Sequence, residues 1–210
     1  MALSTEAGVE TAKAVQEVAK TTSKALSLVE GLGTFLNKLL GSPIQNAVGI
    51  AIDDPLREFR IRNLARLTQR TDAILSARKV REPQVISPSL LLPLMEAAQD
   101  EASDELREMW ARLLANGADP SRSGNLRREF IEALRRFHPR DALILVCLRD
   151  TPNMSPTVSQ FLSSSLKIST GAVAVSIANL QKLECVEKQP TGATTYITDF
   201  GRELLAACAP

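Results

Sequence analysis

Apolar positions recur every three or four residues through most of this chain, the period that turns one side of a helix toward a core. Glu6–Val29 carries Val15, Val18, Thr22, Ala25 and Val29 on one stripe, and Gly31 and Gly33 are expected to end that helix. Two short apolar pieces follow, Thr34–Leu40 and Pro43–Ile52, and then a longer helix from Pro55 to Lys79. The same spacing predicts helices over Pro88–Gln99, Ser103–Asn116 and Leu126–Phe137, with Gly117–Gly124 as a loop. From His138 onward the rhythm changes. Helical stretches at Arg140–Arg149, Pro156–Leu166 and Thr170–Leu183 lead into two short strand-like runs, Cys185–Gln189 and Thr194–Thr198. These turn near Thr191-Gly192, and a last helix, Gly201–Cys208, follows. That order is the grammar of a winged helix-turn-helix.

Proline marks the joints. Ser42-Pro43, Asp54-Pro55, Ser87-Pro88, His138-Pro139 and Ser155-Pro156 each place a capping side chain before a proline at the first helical position, where a missing N–H costs nothing. The expected fold is mainly α. An N-terminal helical region (1–80) with a basic amphipathic helix precedes a central helical bundle (86–137). A C-terminal winged helix-turn-helix with a small two-stranded wing (138–210) completes it, and Arg78–Val85 is the expected linker.

Composition narrows the function classes. A chain of 210 residues, 44% hydrophobic, can bury a real core, and a net charge of +1 gives no global pull toward nucleic acid. Cys147, Cys185 and Cys208 are odd in number and far apart, which suits reduced thiols in the cytosol better than disulfides or a metal site. The N-terminal residues lack a secretory pattern, and no stretch approaches the roughly 20 apolar residues of a spanning helix. The expectation is a cytoplasmic protein, with membrane association on activation as an open alternative.

The block Asp104-Glu-Leu-Arg-Glu-Met-Trp-Ala-Arg-Leu-Leu-Ala-Asn116, followed by Asp119-Pro120, resembles the signature of the bacterial abortive-infection alpha family. So do Arg127–Leu134, Asp141–Leu145, Val175–Leu180, Thr198–Leu205 and the upstream run Gln16–Thr22. The resemblance spans residues 15–208 and is most specific around Trp110. It implies a setting in phage defence and no active site, since the family is a domain without an established biochemical activity. His138 stands where a serine would be more typical, a difference that touches capping alone.

No catalytic constellation emerges, so a non-enzymatic protein without metal or cofactor is expected. His138 is the single histidine and reads as an N-cap. The six acids between Glu96 and Glu108 lie along solvated helix faces rather than converging. Leu56–Arg81 holds eight cations against Glu58 and Asp72, and Arg62, Arg66 and Arg70 form an i, i+4 ladder. That ladder is a candidate surface for anionic lipid, phosphate or an acidic partner, unless it pairs with the acidic Glu96–Glu108 stretch. Upstream, the glycine-punctuated apolar stretch Leu26–Ile52 suits either a bundle core or a membrane-inserted hairpin.

The candidate recognition helix, Thr170–Leu183, buries Val173, Ile177, Leu180 and Leu183 and is expected to present Ser176, Asn179 and Lys182 to a partner. Across Thr151–Pro210 four cations are balanced by four acids. A neutral module grips phosphates poorly, so a protein partner is expected ahead of DNA. A phage or host component, or a second copy in a homo-oligomer, would serve. The leading reading is a phage-defence protein acting through protein contacts or membrane disruption. A winged-helix DNA-binding regulator is the alternative.

Overall fold

The computed structural model describes residues 27–28, 30–41, 55–150, 158–188 and 195–210. The expected helix over most of Glu6–Val29, the piece Pro43–Ile52, the junctions at Ser42, Asp54 and Ser155, and the turn at Thr191-Gly192 lie outside them.

Helix α1, residues 30–40, buries Leu32, Phe35, Leu36, Leu39 and Leu40 on one face. Gly31 and Gly33 sit inside it, which corrects their expected role as a stop. Each glycine costs a helix about 1 kcal/mol, and burying five large side chains outweighs that several-fold. The stop is Gly41 at φ +66°, a left-handed conformation that ends helices. Just before it, the Leu39 carbonyl accepts the Ile86 N–H at 2.8 Å.

Helix α2, Arg57–Ala77, packs most extensively on α4, Asp104–Ala118. Its buried Asn63 donates to the carbonyls of Gln99 (2.9 Å) and Glu101 (2.8 Å), fastening α2 to the turn that precedes α4. Between them lies α3, Pro88–Ala98, capped by Ser87 as expected. Pro93 interrupts the hydrogen bonding of α3, and Ser89, four residues before it, offers its carbonyl to Arg128 (3.4 Å). Ser103 caps α4. The expected loop Gly117–Gly124 is instead the last turn of α4 followed by a 3-10 turn, Pro120–Asn125. A Cβ at Gly117 would meet Leu126 at 2.6 Å, so glycine there permits the close packing that lets the helix continue.

Helices α5 (Arg128–Arg135), α6 (Pro139–Asp150), α7 (Val158–Leu166) and α8 (Thr170–Lys182) follow. Strands β1, Val186–Lys188, and β2, Thr195–Ile197, pair antiparallel with Glu187 opposite Tyr196. Helix α9, Asp199–Ala207, starts two residues earlier than Gly201 because Thr198 caps it. The protein is mainly helical with one small sheet among the described residues, and one contiguous apolar core, centred on Trp110, runs from α1 to α9.

Candidate interaction surfaces

The arginine ladder on α2 is divided by its neighbours. Arg70 pairs bidentately with Glu108, both bonds 2.7 Å. Arg60, outside the ladder, grips Asp100 at 2.6 and 3.1 Å. Hydrogen bonds from Arg70 and then Arg112 hold the Glu108 carboxyl below the ordinary carboxylate range, although partial burial opposes them. Among the described residues Arg62 reaches only Glu58, at 3.9 Å, and Arg66 is exposed and makes no close ion pair. Part of the ridge therefore meets the acidic stretch: Arg66, though exposed, lines a small cleft with Asp104 and Glu108 and, after Arg107, helps hold the Asp104 carboxyl below the usual range, whereas Arg62 faces away from that stretch. An i, i+4 ladder drifts around a helix, so its members meet different neighbours.

On α8 the expected partner face needs correction. Ser176 is buried at 5% exposure. Asn179 turns inward, its amide donating to Asp141 (2.7 Å) and to the Arg136 carbonyl (3.1 Å). Only Lys182 of the three is exposed. The outward stripe is instead Gly171, Ala174, Val175 and Ala178, with Val175 72% exposed. The helix packs with α6 on one side and α7 on another, so its inward face is wider than the four large apolar residues indicate. Leu143 on α6 and Phe161 on α7 add further exposed apolar side chains.

Buried Asp141 explains the turn before α6. It accepts the His138 N–H (2.8 Å), while His138 Nδ1 accepts the Arg140 N–H (3.2 Å). The histidine is an N-cap, and Asp141 completes a reciprocal box around it.

The Trp110 block also serves the fold. Trp110 is fully buried, its indole N–H without a hydrogen-bond partner among the described residues. Asn116, equally buried, donates to the carbonyls of Ala207 (2.6 Å) and Ala209 (3.3 Å). Its own carbonyl oxygen accepts from Arg78 (2.7 Å) and Arg122 (3.4 Å). Asp119 faces Arg78 at 3.5 Å and caps the 3-10 turn through Ser121. Burial pushes the Asp119 carboxyl up, but the Ser121 hydrogen bonds and then Arg78 bring it below the usual range. Sequence reading missed this clamp because its members are separated by long stretches of chain. The distant Thr198–Leu205 motif has a related role. Thr198 donates to the Glu184 carbonyl (2.6 Å) and caps Gly201 (3.0 Å), and a Cβ on Gly201 would collide with the Cys185 carbonyl.

A groove of 540 Å³ lies where α8, the hairpin and α9 converge. Glu184, Glu187, Tyr196, Asp199, Phe200 and Arg202 are among its walls. Tyr196 donates to Glu187 at 3.0 Å, and Arg202 is engaged by Asp199 and the Ile197 carbonyl. Among the described residues no cluster of three or more His, Cys, Asp or Glu is arranged to hold a metal. Burial pushes the Cys185 and Cys208 thiols up to about 12, far from a reactive thiolate. No single described helix is long and apolar enough to cross a membrane. The bent pair Ser159–Leu166 and Thr170–Lys182 passes on length and composition together, yet Leu162, Val173, Ile177 and Leu180 are buried in the core.

These features define a mainly helical protein whose signature polar residues tie a central bundle to its C-terminal helix. The family model for abortive infection alpha matches residues 60–208, and the chain belongs to that family. Membership points to a role in abortive infection, the bacterial response that limits phage. The run Gln16–Thr22 lies outside the matched residues. No curated protein and no solved structure matches the chain.

Proposed function

We propose that the protein serves abortive infection without catalysis, by binding another protein through its C-terminal module. In this reading α6–α9 and the hairpin form a winged helix whose outward helix, α8, faces a protein rather than DNA. The observation that carries it is the exposed stripe of α8. Val175 projects from small residues, the polar side chains Ser176 and Asn179 turn inward, and Lys182 is the single cation at one end. Phosphate recognition needs several cations and base reading needs free amide or guanidinium groups, whereas a flat apolar stripe suits a desolvated protein contact. The membrane-acting alternative has less support, because α1 spends its apolar face on the core.

Replacing Val175 with Asp puts a charge at the centre of the stripe without touching the core. The expected result is loss of phage restriction in a plaque assay, with the buried Trp110 emission unchanged. Retained restriction by V175D, together with salt-dependent binding of duplex DNA, would overturn the reading.

A further inference from the structure

We propose that the partner of the wing groove is a second copy of this chain, docked by the exposed arginines of its α2. Phe59, Arg62 and Arg66 lie at i, i+3 and i+7, so they share one stripe of α2. All three are exposed, Phe59 at 36%. Among the described residues Arg62 has only the long contact to Glu58, and Arg66 makes no close ion pair although Asp104 and Glu108 line the same small cleft. The groove offers the reverse pattern. Glu184 and Glu187 are exposed and paired with no lysine or arginine among the described residues, and half-buried Tyr196 and Phe200 line the same groove. An aromatic followed by two cations thus matches an aromatic-lined groove with two exposed carboxylates, of which Glu187 already accepts from Tyr196.

Within one chain the ion pairs of α2 among the described residues run to its own Glu58 and to Asp100 and Glu108, none of which lines the groove. Between chains they attract, and a net charge of +1 leaves little repulsion between whole molecules. Because the two surfaces differ, the contact either closes reciprocally in a two-fold dimer or propagates head-to-tail into a ring or an open filament. The inference goes beyond the protein-contact reading above, since it uses the groove and α2 rather than the α8 stripe. It is measured on purified protein, so it stands or falls apart from the plaque assay.

Sedimentation of the full chain at low salt tests it. The average mass should rise with concentration and fall as salt is added. Arg62→Glu with Arg66→Glu, and separately Glu184→Lys with Glu187→Lys, should each weaken self-association by about tenfold or more. Mixing the two charge-reversed chains should restore assembly, because each supplies the surface the other has lost. Trp110 emission verifies folding, and the neutral pair Arg62→Gln with Arg66→Gln replaces a reversal that fails to fold. A wild-type chain that stays monomeric at low salt overturns the proposal. So does assembly insensitive to both reversals, or folded reversed chains that ignore each other. Capture of a Phe-Arg-Arg peptide by a chain that remains monomeric would assign the groove to a foreign partner and overturn self-assembly.

Discussion

Asn116 donates across 91 positions of sequence to the end of α9, from a site with no solvent access. Replacing it with Ala strands the Ala207 carbonyl and deprives two arginines of an acceptor. An unsatisfied buried polar group costs about 1–3 kcal/mol, so N116A should lose roughly 2–4 kcal/mol, read as a lower urea midpoint followed by Trp110 emission. A loss near zero would mean the clamp contributes nothing to holding α9. At this scale the sequence was informative about type and silent about partner. Asn116 and Trp110 stood out as a signature, and His138 was legible as a cap because capping is a matter of adjacent residues. Ser176 and Asn179 were misplaced because a small polar residue on a helix suits either face. Only packing with α6 and α7 turned them inward.

The pairing of α2 with α4 shows what charge counting can and cannot resolve at the level of elements. Opposite net charges on Leu56–Arg81 and Glu96–Glu108 did foretell contact, and Arg60–Asp100 and Arg70–Glu108 realise it. Which arginines pair depends on the rotation of one helix against the other, and sequence does not encode that locally. Glu108 gives the element a pH signature. A carboxyl held below its unfolded value contributes stability that is full above the ordinary range and is lost as pH falls through the depressed value. Glu108→Gln should therefore lower stability at neutral pH by about 1 kcal/mol or less, given how exposed Arg70 is. It should also flatten the acid limb of the stability profile. An unchanged acid limb in urea titrations between neutral and acid pH would count against the pair. Helix limits follow the same division. The Ser87 cap was readable, whereas the run of α1 through two glycines and of α4 through Gly117 needed the neighbours those residues pack against.

One apolar core joins α1 to α9, and that continuity has a thermodynamic consequence for the whole molecule. Far-UV circular dichroism and Trp110 emission should report a single coincident urea transition. Two separated transitions would show that the helical bundle and the C-terminal module unfold independently. Helical periodicity, the capping residues and the short strand pair were written into adjacent residues, because each depends on interactions within a turn or two of chain. The abortive-infection alpha signature was equally visible, since it is a string of residue types. The clamp on α9, the inward turn of Asn179 and the outward turn of Arg62 were not. Each depends on groups dozens of residues away, and their burial and partners exist only once the helices have packed.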